Sequence, residues 1–245
     1  MQFREYGPAN GPPVVVLHGG PGAVGSAGSL AHLLADPAHV FEPFQRATTV
    51  ADHIADVLAF IAEHCDRPPV LVGHSWGAML ALAFAAAHPS RVAALCSIGC
   101  GTFDLDARAV FKARLAKLLP PAFEELTPAE QFALTDRAYM VDPLPDDPLD
   151  RLDQAALDDQ SWHDMLRLQA NGTYPAAFAR ITVPVLMIHG ADDPHPGELI
   201  RASLARYLPQ LEYRELARCG HDPWRERGAR DDFARIVRAW LGAAS

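Results

Sequence analysis

The chain has 245 residues, with 21 Lys plus Arg against 30 Asp plus Glu and a formal net charge of −9. At 49% hydrophobic and 21% charged residues it reads as one globular α/β domain with an insertion, which excludes collagen-like, coiled-coil and disordered chains. An acidic chain without a Lys/Arg block is a poor match for nucleic acid, and no stretch reaches the ~18 to 20 apolar residues that cross a bilayer. Met1 to Glu5 carry no apolar leader core, so a cytoplasmic protein with no membrane partner is expected. Cys65, Cys96, Cys100 and Cys219 are too few for a disulfide scaffold, and buried reduced thiols are expected. Cys96-x-x-x-Cys100 lacks the second thiolate pair that a metal site of this kind needs.

In chain order, Met1 to Tyr6 allow one strand, and Val14 to Leu17 form a buried strand that breaks at His18-Gly19-Gly20-Pro21-Gly22. Val50, Ile54, Val57, Leu58 and Ile61 recur at helical spacing behind the caps Thr48 and Thr49, predicting an amphipathic helix over about 49–64. Val70-Leu71-Val72 is the next strand, followed by Gly73-His74-Ser75-Trp76-Gly77 and an Ala/Leu helix ending at His88-Pro89. Further strands are expected over Val92 to Ile98, Val183 to Ile188 and Leu211 to Leu216, and Phe233, Ile236, Val237, Trp240 and Leu241 give the last helix its stripe. Strands alternating with helices predict a mostly parallel sheet flanked by helices. Between Gly101 and about Arg180 the apolar strands vanish and helical stretches such as Arg108 to Leu119 take over. The expected organisation is therefore a core of residues 1–100 and 181–245, with residues 101–180 as a helical cap.

Gly73-x-Ser75-x-Gly77 between a strand and a helix is the nucleophile-elbow pattern, in which a serine on a sharp turn exposes its hydroxyl. Serine needs a base within hydrogen-bond reach and an acid to orient that base. His221, in the loop between the last strand and last helix, is the candidate base. Asp193, just past the carboxyl end of the strand over Val183 to Ile188, is the candidate acid, with the adjacent Asp192 a competitor. The order Ser75, Asp193, His221 is the order stated for the elbow fold. His18, His189 and His195 are rival histidines, and His74 reads as a packing residue. The backbone N–H groups of Trp76 and Gly20 are the candidate oxyanion donors.

These residues resemble the α/β-hydrolase superfamily, and His18-Gly-Gly-Pro-Gly22 with Gly73-His-Ser-Trp-Gly77 is similar to its proline iminopeptidase branch. The resemblance implies the α/β-hydrolase fold, Ser75 as nucleophile, Asp193 as acid, His221 as base, Gly20 and Trp76 as oxyanion donors, and a cap that shapes the substrate site. It implies neither metal nor organic cofactor. Two departures stand against the branch: Phe44-Gln45-Arg46 runs straight into Ala47-Thr48-Thr49 where the branch carries a longer glycine-bearing loop, and the start of the chain is short. Acidic cap residues hold a substrate amine in that branch, and Glu124, Glu125 and Glu130 are available for the role.

The expected activity is hydrolysis of a small-molecule ester or amide through a Ser-His-Asp triad and an acyl-enzyme. A prolyl aminopeptidase is the alternative within the family, and a ligand-binding or signalling protein with an idle triad is the alternative outside enzymes. Phe123, Tyr139, Trp162 and Tyr174 are expected to pack the cap onto the core.

Overall fold

The computed structural model of the protein describes residues 1–153, 156 and 159–244. Its strands are β1 (Phe3–Tyr6), β2 (Pro13–Leu17), β3 (His39–Pro43), β4 (Val70–His74), β5 (Ala94–Ile98), β6 (Val185–Gly190) and β7 (Leu211–Leu216). They form one sheet in the order β1-β3-β2-β4-β5-β6-β7, parallel throughout except for the antiparallel pairing of β1 with β3. The helices are α1 (Gly28–Leu34), α2 (Val50–His64), α3 (Trp76–Ala87), α4 (Leu105–Ala116), α5 (Pro128–Ala138), α6 (Gln160–Ala170), α7 (Gly197–Ala205) and α8 (Arg230–Ala244). None of the described helices is long and apolar enough to cross a membrane.

The central strands are apolar on every residue because helices cover both faces of the sheet, as parallel sheets require. Period two decides the side. Val15, Leu17, Leu71, Leu95 and Met187 pack into the core shared with α2, α3 and α7, while Val14, Val16, Val72, Cys96 and Ile188 pack into the core shared with α1 and α8. The sheet runs outward from β2 in both directions, to β3 on one side and β4 on the other, so the chain reverses its direction of travel at β2. Ligands gather at the carboxyl ends of strands beside such a reversal. Residues 101–180, between β5 and β6, contain α4, α5 and α6 and no sheet strand among the described residues.

Several boundaries differ from expectation for local reasons. Strand β5 starts at Ala94 rather than Val92. Strand β6 starts at Val185, since Pro184 has no N–H for the ladder, and runs on to Gly190. Helix α4 begins at Leu105, upstream of Arg108, because Asp104 Oδ1 accepts from the Ala107 N–H at 2.7 Å and caps it there. Cys96, Cys100 and Cys219 are buried, but Cys65 is only half-buried; all are free thiols.

Candidate active site

The chain passes from β4 into α3 through one residue, Ser75, whose φ of 54° and ψ of −115° are left-handed backbone. Such a conformation costs an L-residue on the order of 1–3 kcal/mol and persists only where its surroundings hold it. The Ser75 N–H donates to Ile98 O at 2.8 Å. A Cβ on Gly73 would lie 2.3 Å from Gly77 O, and one on Gly77 would lie 2.1 Å from Leu17 O, so both flanking positions exclude a side chain.

Strand register places Leu17 opposite Gly73, which brings the loop over residues 18–22 beside Ser75. His18 anchors that loop. Its Nε2 accepts from the Gln45 N–H at 3.1 Å, so Nδ1 carries the proton and donates to Gly19 O at 2.9 Å. Burial pushes the His18 pKa down to about 4, which keeps the ring neutral. Gly20 lines the same two cavities as Ser75. Trp76 opens α3, where the first N–H groups have no partner within the helix.

The loops after β6 and β7 meet at Asp193 and His221. His221 Nδ1 lies 2.7 Å from Asp193 Oδ2, and because the ionised carboxylate only accepts, Nδ1 donates and Nε2 is left as the basic nitrogen. Nε2 is buried and makes no hydrogen bond among the described residues. Two further histidines close on Asp193: His195 Nδ1 donates to Oδ1 at 2.9 Å, and His189 Nε2 lies 3.1 Å from Oδ2. Burial opposes the charge on Asp193, but its histidine partners outweigh it and hold the carboxyl well below its ordinary range. Burial likewise works against a charged His221, and Asp193 outweighs it, so the His221 pKa is raised. Asp192 is exposed and makes no such contacts among the described residues, which separates two acids that the sequence left equivalent.

His74 is more than a packing residue. Its Nε2 lies 2.8 Å from Asp222 Oδ1, and its ring centroid is 4.8 Å from that of His221. Asp222 Oδ2 accepts from Arg225 Nη1 at 2.9 Å, and the same nitrogen reaches Asp136 of α5 at 3.2 Å. Despite burial, His74, His221 and Arg225 keep the Asp222 carboxyl far below its ordinary range. Glu226, also buried, was not anticipated. It accepts from the N–H groups of Val141, Asp142 and Gly220 at 2.8, 2.8 and 3.0 Å, tying the loop that carries His221 to the segment after α5. No periodicity or motif in the sequence marks Glu226 for this role.

Two cavities meet at Ser75. One, of about 190 Å³, is lined by His74, Asp136, His221, Asp222 and Arg225 and on its apolar side by Phe132, Leu152 and Trp224. The other, of about 330 Å³, is walled by Trp76, Met79, Phe111, Tyr139, Trp162 and His195. Tyr139 and Trp162 thus face a cavity at Ser75 rather than only packing, whereas Tyr174 does pack, with its ring stacked on Phe178 at 5.1 Å. Glu130 is spent on the N-terminus of α5, where it forms a capping box with Thr127, and neither it nor Glu124 or Glu125 lines either cavity.

Among the described residues two groups have the atoms to hold a cation, His74 with His221 and Asp222, and Asp193 with His195 and His221. Both are already closed by the carboxylate–imidazole contacts described above. Cys96 and Cys100 are fully buried with pKa values pushed up to about 12, so they stay protonated and are poor metal ligands.

Residues 14–236 match the Alpha/beta hydrolase family. The 2-hydroxy-6-oxononadienedioate/2-hydroxy-6-oxononatrienedioate hydrolase of Cupriavidus pinatubonensis (strain JMP 134 / LMG 1197) is 29% identical over 253 residues, covering 94% of this chain and 86% of that protein. Lipase LipV of Mycobacterium tuberculosis is 30% identical over 107 residues, 39% of this chain and 40% of the lipase. A bacterial membrane phospholipase A of known structure superposes with a TM-score of 0.76 at 21% identity over 99% of this chain and 82% of that one, a likeness of fold. These are hydrolases of kinds other than the iminopeptidases that the two glycine motifs resemble.

Proposed function

The chain belongs to the alpha/beta hydrolase family, and on that premise we propose that it is a serine hydrolase cleaving a small-molecule ester through an acyl-enzyme. The observation that carries the reading is the strained Ser75 at the junction of two cavities, one of which is also lined by the buried His221 paired with Asp193. In this reading Ser75 Oγ attacks the substrate carbonyl while His221 Nε2 takes its proton. The N–H groups of Gly20 and Trp76 receive the oxyanion, each worth about 2.7–4 kcal/mol of barrier. His221 then protonates the leaving group, and later takes a proton from the water that releases the acid and regenerates Ser75. Asp193 holds the imidazole in its Nδ1–H tautomer and stabilises the cation that forms. Residues 101–180 serve as the cap, supplying Phe111, Asp136, Tyr139 and Trp162 to the cavity walls.

A prolyl aminopeptidase is not favoured, because the glutamates available for an amine lie away from both cavities, Asp136 in the smaller one is paired with Arg225, and Asp159 at the larger one lies largely in solvent. Nor does an idle site fit a chain that has the serine, the base, the acid and both candidate donors. The test is steady-state hydrolysis of 4-nitrophenyl acetate, a longer acyl ester and a prolyl arylamide. Ester turnover without prolyl amide cleavage, lost by at least about 10³-fold in Ser75→Ala, supports the reading. Ester turnover that survives Ser75→Ala overturns it.

A further inference from the structure

The larger cavity at Ser75 contains a polar atom that the hydrolytic cycle leaves unused. His195 lines it, and its ring is held in place from several directions. The backbone N–H and Nδ1–H of His195 both donate to Asp193 Oδ1, at 2.8 and 2.9 Å. The ring stacks on Phe111 of α4 with centroids 4.0 Å apart and planes 15° from parallel, and on His221 at 4.8 Å and 23°. Among the described residues nothing bonds Nε2, and the side chain keeps 10% of its surface open, so Nε2 is the polar atom this ring offers to the cavity. Burial pushes the His195 pKa down to about 4, so at neutral pH Nε2 is a lone pair that only accepts.

The rest of the wall is mostly aromatic and apolar, and a charged side chain, Asp159, lies largely in solvent at the rim. Phe111, Tyr139, Trp162 and Trp76 line the cavity together with Met79, and Trp76 Nε1–H is a second buried polar atom without a hydrogen-bond partner among the described residues. Aromatic walls favour a planar guest, which they meet by offset or edge contacts. The chemistry of the cycle decides which half of the substrate enters. The leaving group must take its proton from His221, so it occupies the smaller cavity that His221 lines. His221 is absent from the lining of the larger cavity, which is left for the acyl half.

We infer that the larger cavity takes a planar acyl group bearing a hydroxyl or N–H donor, and that His195 Nε2 accepts the hydrogen bond from that donor. His195 is then the residue that sets specificity for the acyl half. The inference rests on the serine-hydrolase reading and goes beyond it by naming the substrate class.

The experiment compares 4-nitrophenyl benzoate with the 4-nitrophenyl esters of 2-, 3- and 4-hydroxybenzoate. The quantity read is the ratio of kcat/KM for each hydroxylated ester to that for the parent, in the wild type, His195→Phe and His195→Gln. Taking the same ratio in each protein removes the intrinsic effect of the hydroxyl on ester reactivity. Phenylalanine keeps a ring for Phe111 to stack on and has no acceptor, whereas glutamine keeps an acceptor oxygen. For at least one isomer the ratio should fall about tenfold from wild type to His195→Phe, with His195→Gln between them. Ratios equal in wild type and His195→Phe for all three isomers overturn the proposal. So does a wild type that cleaves the acetate but no benzoate, or loss of parent-ester turnover in both folded variants, which would place His195 in the reaction rather than in recognition. Benzoate turnover unchanged in Ser75→Ala would instead refute the serine-hydrolase reading beneath it.

Discussion

Glu226→Gln should weaken the clamp between the loop that carries His221 and the segment after α5. The Glu226 carboxylate is wholly buried, with Oε1 accepting from Val141 and Gly220 and Oε2 accepting from Asp142. Around it the same two segments exchange backbone bonds, from His221 N–H to Tyr139 O at 2.8 Å, Leu144 N–H to Arg225 O at 2.7 Å and Arg227 N–H to Asp142 O at 3.0 Å. Glutamine fills the same volume but turns one acceptor into a donor. Its best orientation points the NH₂ at the Asp142 N–H, since Asp142 is exposed and water can take that bond, and keeps the oxygen on Val141 and Gly220. One bond to a charged group, worth about 1.5–3 kcal/mol, is lost, and two others fall toward the neutral value of about 0.5–1.5 kcal/mol. The sum is a destabilisation of about 3.5–6 kcal/mol in urea unfolding. Because Gly220 immediately precedes His221, kcat should fall more than KM rises, and Glu226→Asp, which keeps the charge, should recover part of the loss. A Glu226→Gln protein within about 0.5 kcal/mol of wild type and with unchanged kcat would refute the reasoning, since that is the range of an ordinary surface substitution.

Two predictions concern pH. In the proposed cycle His221 must be neutral to take the Ser75 proton, and Asp193 raises its pKa against the opposing effect of burial, so the acid limb of kcat/KM should lie above the ordinary ~6.5. A limb at or below that value, with chemistry limiting, contradicts the assignment. The same shift makes His221 a stabilising group below ~6.5 whose contribution is lost as pH rises through its folded value. His18 and His195 act with the opposite sign. Burial holds both at about 4, so between pH ~6.5 and 4 the unfolded chain binds up to about two more protons than the folded one, and stability falls as pH drops. Urea midpoints measured across that window should decline steadily toward acid, and a flat profile would show that these rings are not buried as neutral species.

The strands β2, β4, β5 and β6 were legible because residues buried on both faces leave continuous apolar runs, and the sharp turns after β2 and β4 follow from their glycines. Strand β3 was not, because His39, Glu42 and Pro43 interrupt any apolar reading. Glu42 is tolerated in the core because Arg4, far away in the chain, pairs with it at 2.7 Å and the Ala27 N–H donates to it at 3.3 Å. Helix α1 escaped notice for a similar reason: it opens on a glycine and has no side-chain cap. At the site, motif and order pointed to Ser75, Asp193 and His221, whereas the partners that surround them depend on loops meeting in space. His74 finds Asp222, and His195 shares Asp193 with His221. Loop residues of this kind carry no periodicity from which such contacts can be read.

In the proposed reaction everything depends on Ser75 being a nucleophile activated by His221. The most direct measurement is intact-protein and peptide mass spectrometry after brief exposure to a fluorophosphonate probe. The account predicts one phosphonyl adduct per chain, mapped to Ser75, absent in folded Ser75→Ala and slowed at least about 10³-fold in His221→Ala. Labelling at another residue, or labelling of Ser75 at the same rate when His221 is alanine, would contradict it.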